Sequence, residues 1–261
     1  MRNFLSCAIK IIKVGFASDI IYRSNIIGKV ISSIVVLFAH VSIWYGLYNS
    51  NKYIDIVVYL VLETIFLNFF CLEAGELISV EYCSSEIIGK MILPVDYRIY
   101  IICFILGRNV SNLFFYVTPM FLSCAIIYGF VTPSSFFILF VSFLSMVLGG
   151  MIYTLINMIL SYLSFWLKSN WYIKFFQSAL FTLFGGKNLP MWFFPVILTE
   201  ISQFTPFYYS TYVPIALYLG KIPLQNTIWI LLTQCFWILL LKFFESIIWK
   251  ISLKRVASWG G

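Results

Sequence analysis

Three carboxylates and one arginine lie in or beside very apolar stretches of this chain. Glu63 falls near the middle of one such stretch, Glu73 and Glu76 near its end, and Arg108 early in the next. A charged side chain at membrane depth is costly, so it faces a partner, a cavity or a subunit interface, or it is protonated. Glu63 could therefore contact a cargo or relay protons, or it could hydrogen-bond a polar group on another span. Arg108 is a candidate counter-charge, and Glu73 and Glu76 fit solvated or salt-bridged positions.

The chain carries no recognisable catalytic or metal-binding motif. A phosphate cradle needs an upstream glycine before Gly-Lys and then Ser or Thr. None of the four Gly-Lys pairs has that context: Gly28-Lys29, Gly89-Lys90, Gly186-Lys187 and Gly220-Lys221. His40 is the single histidine, so a Ser/His/Asp arrangement or a histidine-containing metal site is not supported, and a hydrogen-bonded interior role is favoured. We expect a non-catalytic chain without a cofactor or a metal ion of its own.

Composition identifies the broad class of protein. Of 261 residues, 62% are hydrophobic, 20% aromatic and only 10% charged. Soluble domains carry about 25% charged residues, so this chain could not cover a soluble surface. We expect a polytopic membrane protein. The net charge of +7 fits membrane topology and contact with anionic lipid rather than nucleic-acid binding.

Hydropathy and periodicity predict an all-α integral membrane protein, with one transmembrane domain over residues 1–261. An amphipathic pattern over 1–23 predicts an N-terminal interfacial helix, with an ordinary extension of the first span as the alternative. A small-residue pattern in the fourth span should let another helix approach closely. The apolar face of the interfacial helix contains Leu5, Ile9, Ile12, Phe16 and Ile20, and the small residues are Ser142, Ser145 and Gly149. Six transmembrane helices are predicted at about 26–48, 54–78, 99–129, 135–165, 171–186 and 225–249.

The distribution of basic residues predicts the orientation. With the N-terminus inside, 14 of the 17 Lys and Arg residues fall on the inner side, and Lys52, Lys187 and Lys221 on the outer side. Because cytoplasmic loops carry the excess of Lys and Arg, both termini should be cytoplasmic. Residues 79–98 then form the longest cytoplasmic segment between spans, and their charges suit contact with a soluble partner.

Residues 187–224 predict an interrupted structure before the last span. They hold five of the eight prolines of the chain, which break a continuous helix. Short helices that dip into the outer leaflet and return would fit this apolar but broken segment, and such backbone must be covered by protein or line a cavity. The alternative is a partly buried outer loop without a gating role.

Several weak signatures, in a consistent order, carry a family resemblance. They are Tyr22-Arg23, Trp44, SSEIIGKMILPVDY at 84–97, Phe165-Trp166, GGKNLPMWFFP at 185–195, Pro206-Phe207, Tyr212 with Pro214, Leu219-Gly220, Lys254-Arg255 and Gly260-Gly261. Together they resemble a permease subunit of the type-2 ABC transporter family, in the branch with paired permeases and a separate ATPase subunit. Ser85 stands where the family usually has glycine, and Leu93 where a basic residue is common.

The resemblance implies an export machine in a bacterial cytoplasmic (inner) membrane. Two permeases, identical or paralogous, form a dimeric membrane unit above two copies of an ABC ATP-binding subunit, which binds ATP and Mg. A short coupling helix between the second and third spans would transmit movement from the ATPase. The residues assigned to this coupling are Glu86, Ile87, Ile88, Gly89, Lys90 and Pro94.

The resemblance also implies a translocation path lined by the second and fifth spans. We assign to this path Glu63, Phe66, Phe70 and Glu73. The 187–224 segment would sit at its outer end, with Pro190, Pro195 and Pro206 as its marked positions. The cargo is expected to be hydrophobic or amphipathic: a drug, an antimicrobial peptide or a lipid-linked molecule.

Two other classes of function remain open at this point. One is an ATP-independent transporter that uses Glu63 and Arg108 for proton coupling, which inverted internal repeats would favour. The other is a membrane scaffold or sensor subunit without transport. Retention of an ATPase subunit on copurification separates the permease from both alternatives.

Overall fold

The computed structural model describes residues 2–21, 23–47, 52–70, 74–128, 135–167 and 171–257, and in these ranges it contains helices and no strands. The α-helices are α1 Arg2–Ile21, α2 Arg23–Leu47, α3 Lys52–Phe70, α4 Ala74–Cys83, α5 Glu86–Met91, α6 Tyr97–Asn112, α7 Thr118–Tyr128, α8 Phe136–Ser161, α9 Ser164–Leu167, α10 Trp171–Gly185, α11 Val196–Gln203, α12 Val213–Tyr218 and α13 Thr227–Ala257. Short π-helices at Leu113–Val117 and Tyr208–Tyr212 and 3-10 turns at Met191–Phe193 and Leu224–Asn226 connect some of them. The predicted all-α class is confirmed.

Three helical stretches among the described residues are long and apolar enough to cross a membrane. They are Tyr97–Leu122, Phe136–Leu167 and Leu224–Arg255, and a shorter apolar helix covers Val30–Gly46. The predicted second span falls on α3 and the start of α4, and the predicted fifth span on the 15-residue α10. The six-span count therefore stays a prediction, while a multi-pass membrane protein is established.

The helix α8 lies at the centre of the fold, in contact with α4, α12, α13 and the Tyr208–Tyr212 π-helix. Ser142, Ser145 and Gly149 are buried on it, as the small-residue pattern predicts. A side chain at Gly149 would overlap the Ser210 carbonyl oxygen. The close helix approach is thus confirmed, because only glycine leaves room for backbone against backbone.

The proline-rich 187–224 segment is broken into short helical pieces, as predicted. Pro190 and Pro195 precede the Met191–Phe193 turn and α11, and Pro206 lies just before the Tyr208–Tyr212 π-helix. Residues 210–217 are buried without interruption, so this part is covered by protein. Insertion of the segment into the outer leaflet remains a prediction.

The N-terminal helix α1 packs along α6. Ile11 is buried, whereas Ile9, placed on the predicted apolar face, is about half exposed at 52%. The two helices approach closely, because at both Gly15 and Gly107 a side chain would overlap the backbone of the opposite helix. The backbone of Ile12 and Phe16, two residues of the predicted apolar face, lies against Gly107, and the interfacial position of α1 stays a prediction. Lys10 and Lys13 are exposed.

The substitution Gly107→Ala should loosen the crossing of α1 and α6. The added methyl group overlaps the Ile12 carbonyl oxygen, and such overpacking costs about 1–3 kcal/mol. Gly46→Ala is the matched control, because nothing lies within 4 Å of an added methyl group there. Thermal unfolding in detergent should show a lower melting temperature for Gly107→Ala alone. Equal melting temperatures for the two variants would contradict the close crossing.

Candidate functional site

The predicted coupling segment forms a short helix, α5, that starts from a left-handed residue. Ser85 has φ 64°, in the region that glycine occupies without strain. The residue that departs from the family pattern thus keeps the backbone conformation that suits the usual glycine. Residues Leu93 and Pro94 lie exposed beyond α5, in the connection that leads to α6.

A buried carboxylate, Glu81 on α4, holds this segment in place. Its residue is only 1% exposed. One carboxylate oxygen forms an ion pair with Lys90 of α5, and the other accepts a hydrogen bond of 2.7 Å from the Tyr97 hydroxyl at the start of α6. Burial works to lower the pKa of Lys90, but the hydrogen bond and the charge of Glu81 outweigh it and raise that pKa above its usual value. Glu81 therefore links α4, α5 and α6.

An aromatic cluster supports the same end of the molecule. The Tyr97 ring stacks on Trp249 of α13 with centroids 5.6 Å apart, and Tyr82 stacks on Phe165 of α9 at 4.2 Å. Ile87, which is 1% exposed, anchors α5 in this cluster. Movement of α5 would therefore displace the residues of α4, α6, α9 and α13 that pack in this cluster.

A second ion-pair network lies beside the aromatic cluster. Glu245 of α13 is fully buried and accepts hydrogen bonds of 2.8 Å from both the Tyr162 hydroxyl and Lys242. Arg98 lies 3.5 Å from Glu245 and pairs with Asp96 at 3.0 Å. Hydrogen bonding from Arg98 lowers the pKa of Asp96. Because the carboxylate is the favoured form, this contribution to stability is present above the ordinary pKa of aspartate and is lost as the pH falls through the lowered value.

The outer face of α5 is exposed in the described part of the chain. Ile88 is 48% exposed and Ile92 80%, and a side chain at Gly89 would meet nothing within 4 Å. The Glu86 side chain is 64% exposed and lies 3.9 Å from Lys90. This apolar face with an acidic edge contrasts with the buried side of the helix at Ile87.

The candidate path residue Glu63 is buried on α3, at 3% exposure. Its carboxylate accepts a hydrogen bond of 2.9 Å from the backbone N–H of Asn188. One turn earlier, the Tyr59 hydroxyl donates to the Gly186 carbonyl oxygen at 2.8 Å. Gly186 and Asn188 both have positive φ, 71° and 66°, which glycine and asparagine tolerate best. Two side chains of α3 thus hold the turn that follows α10, which we name the GGKN turn (residues 185–188).

Two polar cavities adjoin α3 and share Leu67 and Asn68 as lining residues. The first, of about 170 Å³, lies between α2, α3 and Asn188 and includes Glu63. The second, of about 370 Å³, lies between α3, α4, α8 and α10. An ion pair of Glu76 with Lys174 borders the second cavity. The cavities therefore lie along the helices of the predicted second and fifth spans.

The other predicted path residues are placed as follows. Phe66 is buried at 2% exposure, and Phe70 is the last residue of α3. Glu73 lies outside the described residues. Lys187 is the positive charge acting on Glu63 in the described part of the chain, and Arg108, the counter-charge considered from the sequence, is not among the groups that act on it there.

Several residues that organise this site were not singled out as site residues from the sequence. Glu81 belongs to the charged 79–98 segment but was not assigned a role of its own, and Tyr59, Asn68 and Lys187 were not assigned to the path. The spacing of Tyr59 and Glu63, four residues apart and so on one helix face, could have indicated a shared target. The identity of that target, the GGKN turn, depends on contacts more than 120 residues apart in sequence.

The described helices and their apolar stretches define a multi-pass, all-helical membrane protein with internal polar cavities. Residues 33–260 match the family described as ABC-2 family transporter protein. Because the match covers most of its length, the chain belongs to this family and is a membrane component of an ABC transporter. No curated protein matches the sequence.

The substitution Glu81→Gln should destabilise the α5 end of the molecule. It leaves the partly buried Lys90 without its ionic partner and weakens the Tyr97 hydrogen bond, at a cost of about 2 kcal/mol. Glu86→Gln is the matched control, because this exposed pair is worth less than about 0.5 kcal/mol. Denaturant unfolding of both variants measures the difference. If Glu81→Gln were as stable as Glu86→Gln, the linking role of Glu81 would be wrong.

Proposed function

We propose that this chain is the permease of an ABC exporter and that α5 docks on a separate ATP-binding subunit. The single observation that carries the proposal is the two-sided character of α5. Ile87 is buried in the aromatic cluster, while Ile88 is 48% exposed and Ile92 80% exposed. An apolar patch of this kind is a surface for a protein partner.

The contacts of α5 support a role in transmitting movement. The helix is tied by Lys90 to Glu81 of α4, and Glu81 is tied to Tyr97 of α6. Rigid packing of this kind passes a displacement on rather than absorbing it. A partner that pushes on Ile88 and Ile92 would shift the start of α6 and the end of α4 together.

The two polar cavities support a cargo path beside α3 and α10. Their linings combine hydroxyl, amide and charged groups with leucine and valine side chains, which suits an amphipathic cargo. In this proposal the chain crosses the membrane six times, with both termini and α5 in the cytoplasm. A second permease, identical or paralogous, completes the membrane unit, and two ATP-binding subunits bind ATP and Mg.

The coupling proposal is tested by placing a charge on the exposed face of α5. Ile88→Glu should abolish cargo-stimulated ATPase activity of the reconstituted complex, because a carboxylate would be desolvated in the partner interface. Ile88→Leu, which keeps the position apolar, is the matched control and should retain at least half of the stimulation.

The folding of both variants is checked by membrane insertion and melting temperature, which should equal those of the wild type, because Ile88 is exposed. Wild-type stimulation in a correctly inserted Ile88→Glu protein would refute docking through α5.

A further inference from the structure

The cavity that contains Glu63 has a lining of polar and apolar side chains. Among the described residues that line it, the neutral polar ones are Ser32, Ser33, His40, Thr64, Asn68 and Asn188, and Glu63 is the one carboxylate. The cavity holds about 170 Å³, room for more than one water molecule.

Three of these residues donate hydrogen bonds to the protein itself. Thr64 Oγ1 donates to the Leu60 carbonyl oxygen at 2.7 Å, and Asn68 Nδ2 donates to the Thr64 carbonyl oxygen at 2.7 Å. The Asn188 N–H donates to Glu63 Oε1. Acceptor capacity remains at three of the lining side chains: the lone pairs of the Thr64 hydroxyl, the Asn68 amide oxygen and the second Glu63 oxygen. A group rich in N–H donors complements such a lining.

The charge of the cavity also favours a ligand with N–H donors, and a cationic one in particular. A carboxylate as buried as Glu63 favours a cation nearby. Lys187 lies close enough for its charge to act on Glu63, but its ammonium group donates to Ser178 Oγ at 3.3 Å and lines the other cavity. The Glu63 cavity itself is therefore open to an external cation.

The ligand set does not suit a metal ion. Among the residues that the structure describes, no group of three or more His, Cys, Asp and Glu side chains is placed to bind one. The cavity is also lined by Val36, Leu37, Leu60 and Leu67, and Val36 is 51% exposed. A cationic head with an apolar stem that leaves past Val36 fits both parts of the lining.

We propose that this cavity binds the primary ammonium group of an amphipathic cargo, with Glu63 as its counter-charge and Thr64 and Asn68 as hydrogen-bond acceptors. The inference rests on the proposed export function and narrows its cargo class to amines. The apolar stem lies against the leucine and valine side chains of α2 and α3.

The test compares n-octylammonium with n-octanol, which has the same stem and no charge. Binding is measured by calorimetry to the permease alone in phosphatidylcholine nanodiscs, with empty nanodiscs as the blank. The ammonium should bind at least about tenfold more tightly than the alcohol, since a charge-assisted hydrogen-bond set is worth more than a neutral one. Equal affinities for the two probes would overturn the proposal.

Glu63→Gln should reduce the ratio of the two affinities to about one while keeping an acceptor for the Asn188 N–H. Glu200→Gln, an exposed position on α11, is the matched control and should keep the wild-type ratio. A folded Glu63→Gln protein with an unchanged ratio would contradict the proposal.

A second variant decides the matter if Glu63→Gln does not fold. Thr64→Val keeps the side-chain shape and removes one acceptor, so octylammonium affinity should fall about fivefold. No loss with Thr64→Val would overturn the proposal. Because these measurements need neither ATPase nor transport, their failure is distinct from failure of α5 docking.

Discussion

The structure depends on how it satisfies Glu81, a carboxylate with almost no exposure at the end of α4. A buried charge without partners would cost several kcal/mol, so Lys90 and Tyr97 must stay against it. This requirement fixes the short helix α5, which has too few residues to be stable by itself. Because the contacts of its buried side fix the orientation of α5, its exposed side has a fixed orientation as well. One buried charge thus produces a rigid, outward-facing apolar surface.

A second set of contacts, made by α3, borders the Glu63 cavity. From α3, Tyr59 and Glu63 hold the GGKN turn after α10, and α4 follows α3 after residues 71–73. The GGKN turn beside the cavities is therefore held by α3, and the coupling helix α5 is held by α4. In the proposed exporter, displacement of α5 reaches the cavities through this segment, so a push on one surface can change the shape of a distant cargo site.

Much of the fold was predictable because hydrophobic composition and proline positions act locally. The all-helical class, the broken 187–224 segment and the close approach at Gly149 follow from such local rules. The crossing of α1 and α6 at Gly15 and Gly107 was not predicted, since it is a tertiary contact that hydrophobic periodicity does not encode. Ser85 looked like a departure from the family pattern, yet its φ of 64° keeps the left-handed turn. The partners of Glu63 and Glu81 required the folded arrangement.

The central claim is that the exposed face of α5 meets the ATP-binding subunit. Its most direct measurement is photo-cross-linking with benzoylphenylalanine in place of Ile92, the 80% exposed residue just after α5, in the complex coexpressed with its ATP-binding subunit. The same probe in place of Ile197, 73% exposed on α11, is the control. The account predicts a cross-link to the ATP-binding subunit from position 92 and none from position 197. A cross-link from position 197 with none from position 92 would contradict it.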